Sequence, residues 1–109
     1  MMWLPFDNGA TVNLCGSEGG LVLRDLEHPD GARITLERNC SNGVPFAVTC
    51  GIYGWFFHTR YLGTEVEAEF PAMLDALVAI LGVIPHTDQI EVKTSAVSDA
   101  IGVFVSRFP

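Results

Sequence analysis

Thr64–Pro85 reads TEVEAEFPAMLDALVAILGVIP, the longest segment of the chain with helical periodicity. Val66, Phe70, Met73, Leu74, Leu77, Ile80, Leu81 and Ile84 recur at steps of three and four. At roughly 100° per residue they form one broad stripe, the pattern of a helix laid on a core. Thr64 followed three residues later by Glu67 has capping-box spacing. Glu65, Glu67 and Glu69 place negative charge where the helix dipole favours it. Pro85 is the natural stop, with Gly82 loosening the last turn. Pro71 in a helix interior costs about 3 kcal/mol. Because Val66 and Phe70 already sit on the stripe, the expectation is a helix from Glu65 that bends at Pro71.

The other face of this helix carries Ala68, Ala72, Ala76 and Ala79, and beyond Glu69 its one charge is Asp75. A solvated face would normally show Lys, Glu or Gln. Alanines let a second backbone approach closely, so a covering layer is expected. It would be another helix of this chain or the same helix of a second copy.

Working back towards the N-terminus, the sequence turns β-rich. Ala32–Arg38 alternates, with Ala32, Ile34 and Leu36 on one side and Arg33, Thr35 and Glu37 on the other, predicted to be wet. It pairs with Leu21–Glu27 across His28-Pro29-Asp30-Gly31, strong turn chemistry. Phe46–Cys50 and Trp55–Tyr61 flank Gly51-Ile52-Tyr53-Gly54 as a second pair. Upstream, Thr11–Cys15 is a candidate fifth strand. Gly16-Ser17-Glu18-Gly19-Gly20 reads as a flexible turn, since it lacks a P-loop lysine and a following helix. Downstream of the long helix, Gln89–Lys93 reads as a short strand or an extended connection. Val97, Ala100, Ile101, Phe104, Val105 and Phe108 then follow helical spacing, with Ser98 as N-cap. A strand over Ile101–Ser106 with a bulge at Gly102 is the competing reading. Strands followed by helices define the α+β class. The expected fold is one domain over residues 1–109, an antiparallel four- to five-stranded meander followed by one long helix and a shorter C-terminal helix.

Hydrophobic residues make up 49% of the chain and charged ones 17%, enough to fill a core and fewer charges than usual. That shortage points to surface covered by a partner, and a homodimer is the commonest form. A net charge of −7, from 13 acidic and 6 basic residues, argues against nucleic acid and anionic membrane surfaces. No run reaches the roughly 18 apolar residues of a membrane span. The first twenty residues lack the basic and apolar regions of a secretory signal. With three cysteines, Cys15, Cys40 and Cys50, these features suggest a cytoplasmic protein with free, mostly buried thiols.

The densest cluster of chemistry-bearing residues is Cys50–Tyr61. A nucleophilic cysteine needs a base or cation beside it, and Cys50 with His58 or Arg60 is the one such grouping. Unpaired cysteines usually just pack, however, and no catalytic signature flanks this one. Histidines His28, His58 and His86 and the cysteines have no metal-ligand spacing, so no metal or cofactor is expected. Glu18, Asp25, Glu27 and Asp30 read as solvated positions. His28 and His86 each neighbour a proline in a turn. Strand alternation puts His58 with Phe56 and Arg60, opposite Trp55, Phe57, Thr59 and Tyr61. Tyr53, Trp55, Phe57 and Tyr61 with Arg60 have the composition of a protein interface. The resulting expectation is a small interaction or regulatory module rather than an enzyme. The alternative is a small-molecule or enzymatic site walled by His58, Arg60, Trp55, Cys50 and Tyr53.

Overall fold

A computed structural model describes residues 2–84 and 90–109, with the side chains of the second helix described from Ser95 onward. The elements are β1 (Leu4–Pro5), a short 3-10 turn (Phe6–Gly9), β2 (Leu21–His28), β3 (Ala32–Arg38), β4 (Phe46–Ile52) and β5 (Phe56–Leu62). They are followed by α1 (Val66–Leu81) and α2 (Ile90–Arg107). All five strands join one antiparallel sheet in the order β1-β2-β3-β4-β5, so the α+β meander with two following helices is the observed fold. The fifth strand is Leu4–Pro5, not Thr11–Cys15. Asn13 adopts a left-handed φ of 71°, which turns that segment. It still lies along β2, where Asn13 N–H donates to Val22 O, Val22 N–H donates to Leu14 O, and Cys15 bridges Leu21.

One face of the sheet is covered by the helices. Ala32, Ile34 and Leu36 of β3, Val48, Cys50 and Ile52 of β4 and Leu62 of β5 are buried there against Phe70, Met73, Leu74, Leu77, Ile80 and Leu81 of α1. Each of the larger side chains, Val, Leu, Ile, Phe or Met, contributes about 1.5–3 kcal/mol of transfer free energy when fully buried. The buried set of α1 is the predicted stripe. Its start differs from the capping box. Helix α1 begins after Glu65 with no side-chain cap, and Glu65 Oε1 instead accepts the Gly63 N–H at 2.9 Å. That bond holds the Glu65 carboxyl below the usual glutamate range. Pro71 lies within the helix with its ring exposed, while Phe70, Met73 and Leu74 beside it are buried. Burial of those neighbours offsets the missing hydrogen bond.

The C-terminal segment is helical from Ile90, well before Ser98, so residues 91–93 are helical rather than extended. Pro85, His86 and Gln89 lie outside the described residues. Val97, Phe104 and Phe108 are buried, and Ala100 and Ile101 pack against the core, whereas Val105 is exposed. Ala76 and Ala79 of α1 face Ala100 and Phe104 of α2 across a shallow groove of about 310 Å³. The alanine face is therefore partly covered by the chain itself: Ala72 and Ala76 are half-buried, Ala68 and Ala79 exposed.

Candidate functional site

The residues singled out in Cys50–Tyr61 divide between the two faces of the sheet. Cys50 and His58 are register partners on the helix face, with Arg60 paired to Val48 beside them. The C-terminal end of α2 closes over this group. His58 Nε2 lies 2.5 Å from the Phe108 carbonyl oxygen, and since a carbonyl can only accept, Nε2 carries the proton. Arg60 Nη1 is 2.7 Å from Glu69 Oε1 in an ion pair whose angles fall outside hydrogen-bond geometry, and its guanidinium lies over the Phe108 ring. Phe56 packs edge-on to Phe104. Burial pushes the Cys50 thiol up to about 12, so it stays protonated near neutral pH. A protonated thiol is a poor nucleophile.

Trp55 and Tyr53 sit in the β4–β5 turn. Trp55 N–H donates to Ile52 O at 2.9 Å, and Gly54 takes a φ of 81°, the left-handed position glycine suits. Trp55 is thus a turn residue that rolls onto the core instead of sharing the face of Phe57. Tyr53 goes the other way: its hydroxyl donates to Glu27 Oε2 at 2.9 Å and its ring meets Phe57 edge-on. Burial and this bond to Glu27 raise the Tyr53 hydroxyl above its usual range.

The face away from the helices holds what strand alternation did not reveal. Asp25, Thr35, Thr49 and Thr59 are successive register partners across β2, β3, β4 and β5, forming one polar row. A bulge at Leu23 shifts the register of β2 and brings Val22 onto this face with Asp25. Asp25 is only 2% exposed. Its carboxylate receives Arg33 Nε at 3.0 Å and Nη2 at 2.8 Å, Thr35 Oγ1 at 3.1 Å and Thr11 Oγ1 at 2.9 Å. Burial alone would raise its pKa, but the bonds from Arg33, Thr11 and Thr35 and the Arg33 charge outweigh that and hold it below the usual aspartate value. The Arg33 guanidinium stacks 3.5 Å above the Phe6 ring.

Residues 11–20 cross one side of this face and bury a second carboxylate. Glu37 is fully buried and accepts the Gly20 N–H at 3.1 Å and the Glu18 N–H at 3.2 Å. A Cβ on Gly16 would fall 2.2 Å from Glu37 Cδ, so the loop closes because glycine leaves that space empty. The glycine-rich loop is thus an ordered cradle for the chain's own carboxylate rather than a flexible turn. Asp25 and Glu37, both predicted to be wet, are dry because this segment returns over them. Between the loop and the sheet lies a cavity of about 340 Å³ whose lining includes Thr11, Leu14, Asp25, Arg33, Thr49 and Phe57. On the same face Tyr53, Phe57 and Tyr61 are exposed by 42%, 62% and 47%, in contrast to the buried helix side.

Among the described residues no group of three or more His, Cys, Asp or Glu is placed to hold a metal ion, and no helix is long and apolar enough to cross a membrane. Compared with protein-family models, with curated proteins and with solved structures, the chain matches none.

Proposed function

We propose that the chain is a small cytoplasmic interaction module that works as a homodimer, two copies pairing through the outer edges of β5. The observation that carries this reading is the contrast between the two edges of the sheet. Sheet edges invite pairing with another chain, and proteins usually blunt them with short strands, proline, lysine or bulges. The β1 side is blunted in this way. Strand β1 is two residues long and contains Pro5, β2 carries a bulge, and Asn13 and Leu14 bond to Val22 beyond it. Strand β5 is seven residues, FFHTRYL, in unbroken register with β4, with no proline, lysine or acidic residue. Among the described residues no further strand pairs with it.

Antiparallel pairing of two β5 strands about Thr59 is self-complementary. It sets Phe57 of each copy beside Tyr61 of the other, and such cross-strand aromatic pairs contribute roughly 0.2–1 kcal/mol each. A strand free of acidic residues also puts no carboxylate of its own on the seam between two chains of net charge −7. The closed main-chain nature of the contact favours a binding role over catalysis, in keeping with the protonated Cys50 thiol. The three free thiols support a reducing compartment.

Molar mass by light scattering at micromolar concentration tests the reading, together with the Thr59→Lys variant. The expected result is a dimer that Thr59→Lys splits, because two ammonium groups would face each other across the two-fold axis, while Thr59→Val stays dimeric. A monomeric wild type, or a dimer indifferent to Thr59→Lys, overturns it.

A further inference from the structure

The cavity between the residue 11–17 loop and the open sheet face has a donor and acceptor pattern that selects a ligand class. Thr11 and Thr35 each spend their one hydroxyl proton on Asp25, at 2.9 and 3.1 Å. Both oxygens therefore keep only lone pairs to offer. Asp25 itself is saturated, with four hydrogen bonds for its roughly four acceptor sites. Its charge is matched by Arg33, which gives both Nε and Nη2 to the carboxylate. Thr49 and Thr59 share one hydrogen bond at 3.2 Å, which leaves the pair one further hydroxyl proton. Beside these polar groups, Leu14 and Phe57 line the same space and are 57% and 62% exposed, offering an apolar surface.

An anion entering here would meet threonine lone pairs and a carboxylate, with the one nearby cation already neutralised. A cation would meet the Arg33 guanidinium and find no vacant carboxylate acceptor. A purely apolar molecule would take the open lone pairs of the threonine oxygens out of water without giving them a donor, which opposes its binding. What fits is a neutral molecule with several hydroxyl groups to donate and a C–H face to lay on an aromatic ring. We propose that this cavity binds a neutral polyol of monosaccharide size, its hydroxyls donating to Thr11 and Thr35 and its C–H face resting against Phe57. The volume of about 340 Å³ lies at the small end of the usual range for ligand sites, roughly 300–1,000 Å³. The proposal does not depend on dimerisation, since the cavity is built within one chain.

The test is a titration of 15N-labelled protein with D-glucose, D-galactose, D-mannose and myo-inositol to tens of millimolar, with inorganic phosphate and acetate as charged comparators. At least one polyol should give saturable amide shifts centred on Leu14, Thr35, Thr49 and Phe57. Thr49→Val and Leu14→Ala, neither of them on β5 and both checked for an unchanged molar mass and an unchanged spectrum elsewhere, should each weaken that binding several-fold, the scale of one neutral contact. No saturable shift from any of the four polyols overturns the proposal. So does saturation by phosphate or acetate in their place, or polyol shifts that both substitutions leave unaltered.

Discussion

At the scale of single residues, the controlling feature is the burial of two carboxylates on the sheet face that has no helix. Glu37 has no solvent contact, so its oxygens are satisfied by backbone N–H groups of the loop that glycine allows to approach. Gly16→Ala inserts a methyl group 2.2 Å from Glu37 Cδ, and either the loop or the carboxylate must leave. Displacing the loop orphans groups worth about 1–3 kcal/mol each, so urea unfolding should show a loss on that order. Gly102 in α2 is the matched contrast, because a Cβ there meets nothing within 4 Å. Gly102→Ala should stabilise the protein by about 0.5–1 kcal/mol through helix propensity. The burial of these carboxylates was not legible in their own strands. Asp25 and Glu37 alternate with apolar neighbours as solvated residues do, and what dries them is a distant segment: Glu18 and Gly20, nineteen and seventeen residues upstream of Glu37, bond to its carboxylate, and Thr11, fourteen residues upstream of Asp25, bonds to the other. The density of glycine in Gly16–Gly20 was a usable signal, since a loop closing on a side chain needs residues without Cβ.

Among the elements, those with a strong period were legible and those with mixed signals were not. The stripe of α1 and the alternation of β3 each determine a face, and the structure buries those faces. Helix α2 was ambiguous because β-branched Val97, Ile101 and Val105 favour strands while the spacing of Val97, Ala100, Ile101, Phe104, Val105 and Phe108 favours a helix; packing of Phe104 and Phe108 on β5 decides between them. Trp55 was misplaced by simple alternation because the β4–β5 turn takes one more residue than a tight two-residue hairpin. The same contacts predict what anchors the C-terminus. Phe108 is 1% exposed, tilts against Phe104 at 4.9 Å between ring centroids, and supplies the carbonyl that His58 donates to. Phe108→Ala should cost about 3–5 kcal/mol, the range for an aromatic removed from a core. Chemical denaturation measures it, and a change below about 1 kcal/mol would mean that the end of α2 does not hold the structure over β5.

For the whole molecule, the acid limb of stability follows from which carboxylates the fold draws in. The chain carries 13 acidic residues, and acid sensitivity should concentrate in those that the fold buries and bonds. Asp25 is the clearest case: burial works against its ionised form, yet Arg33, Thr11 and Thr35 prevail and its folded pKa lies below the ordinary value. A carboxyl with a depressed folded pKa binds its proton more readily in the unfolded chain. Between the folded value and the unfolded one of about 3.9, unfolding therefore takes up protons, and stability rises with pH. The contribution is fully present above the unfolded pKa and is lost as pH falls through the folded one. Asp25→Asn removes this titration while keeping the shape of the side chain. It should lower stability near pH 7, since a charged partner for Arg33 is gone, and should flatten the dependence of stability on pH below about 4. Urea midpoints across that interval decide the matter. Parallel acid limbs for the wild type and the variant would mean that Asp25 is already protonated or already paired in the unfolded chain, and that the Arg33–Asp25 pair is not what makes this face of the sheet hold its loop.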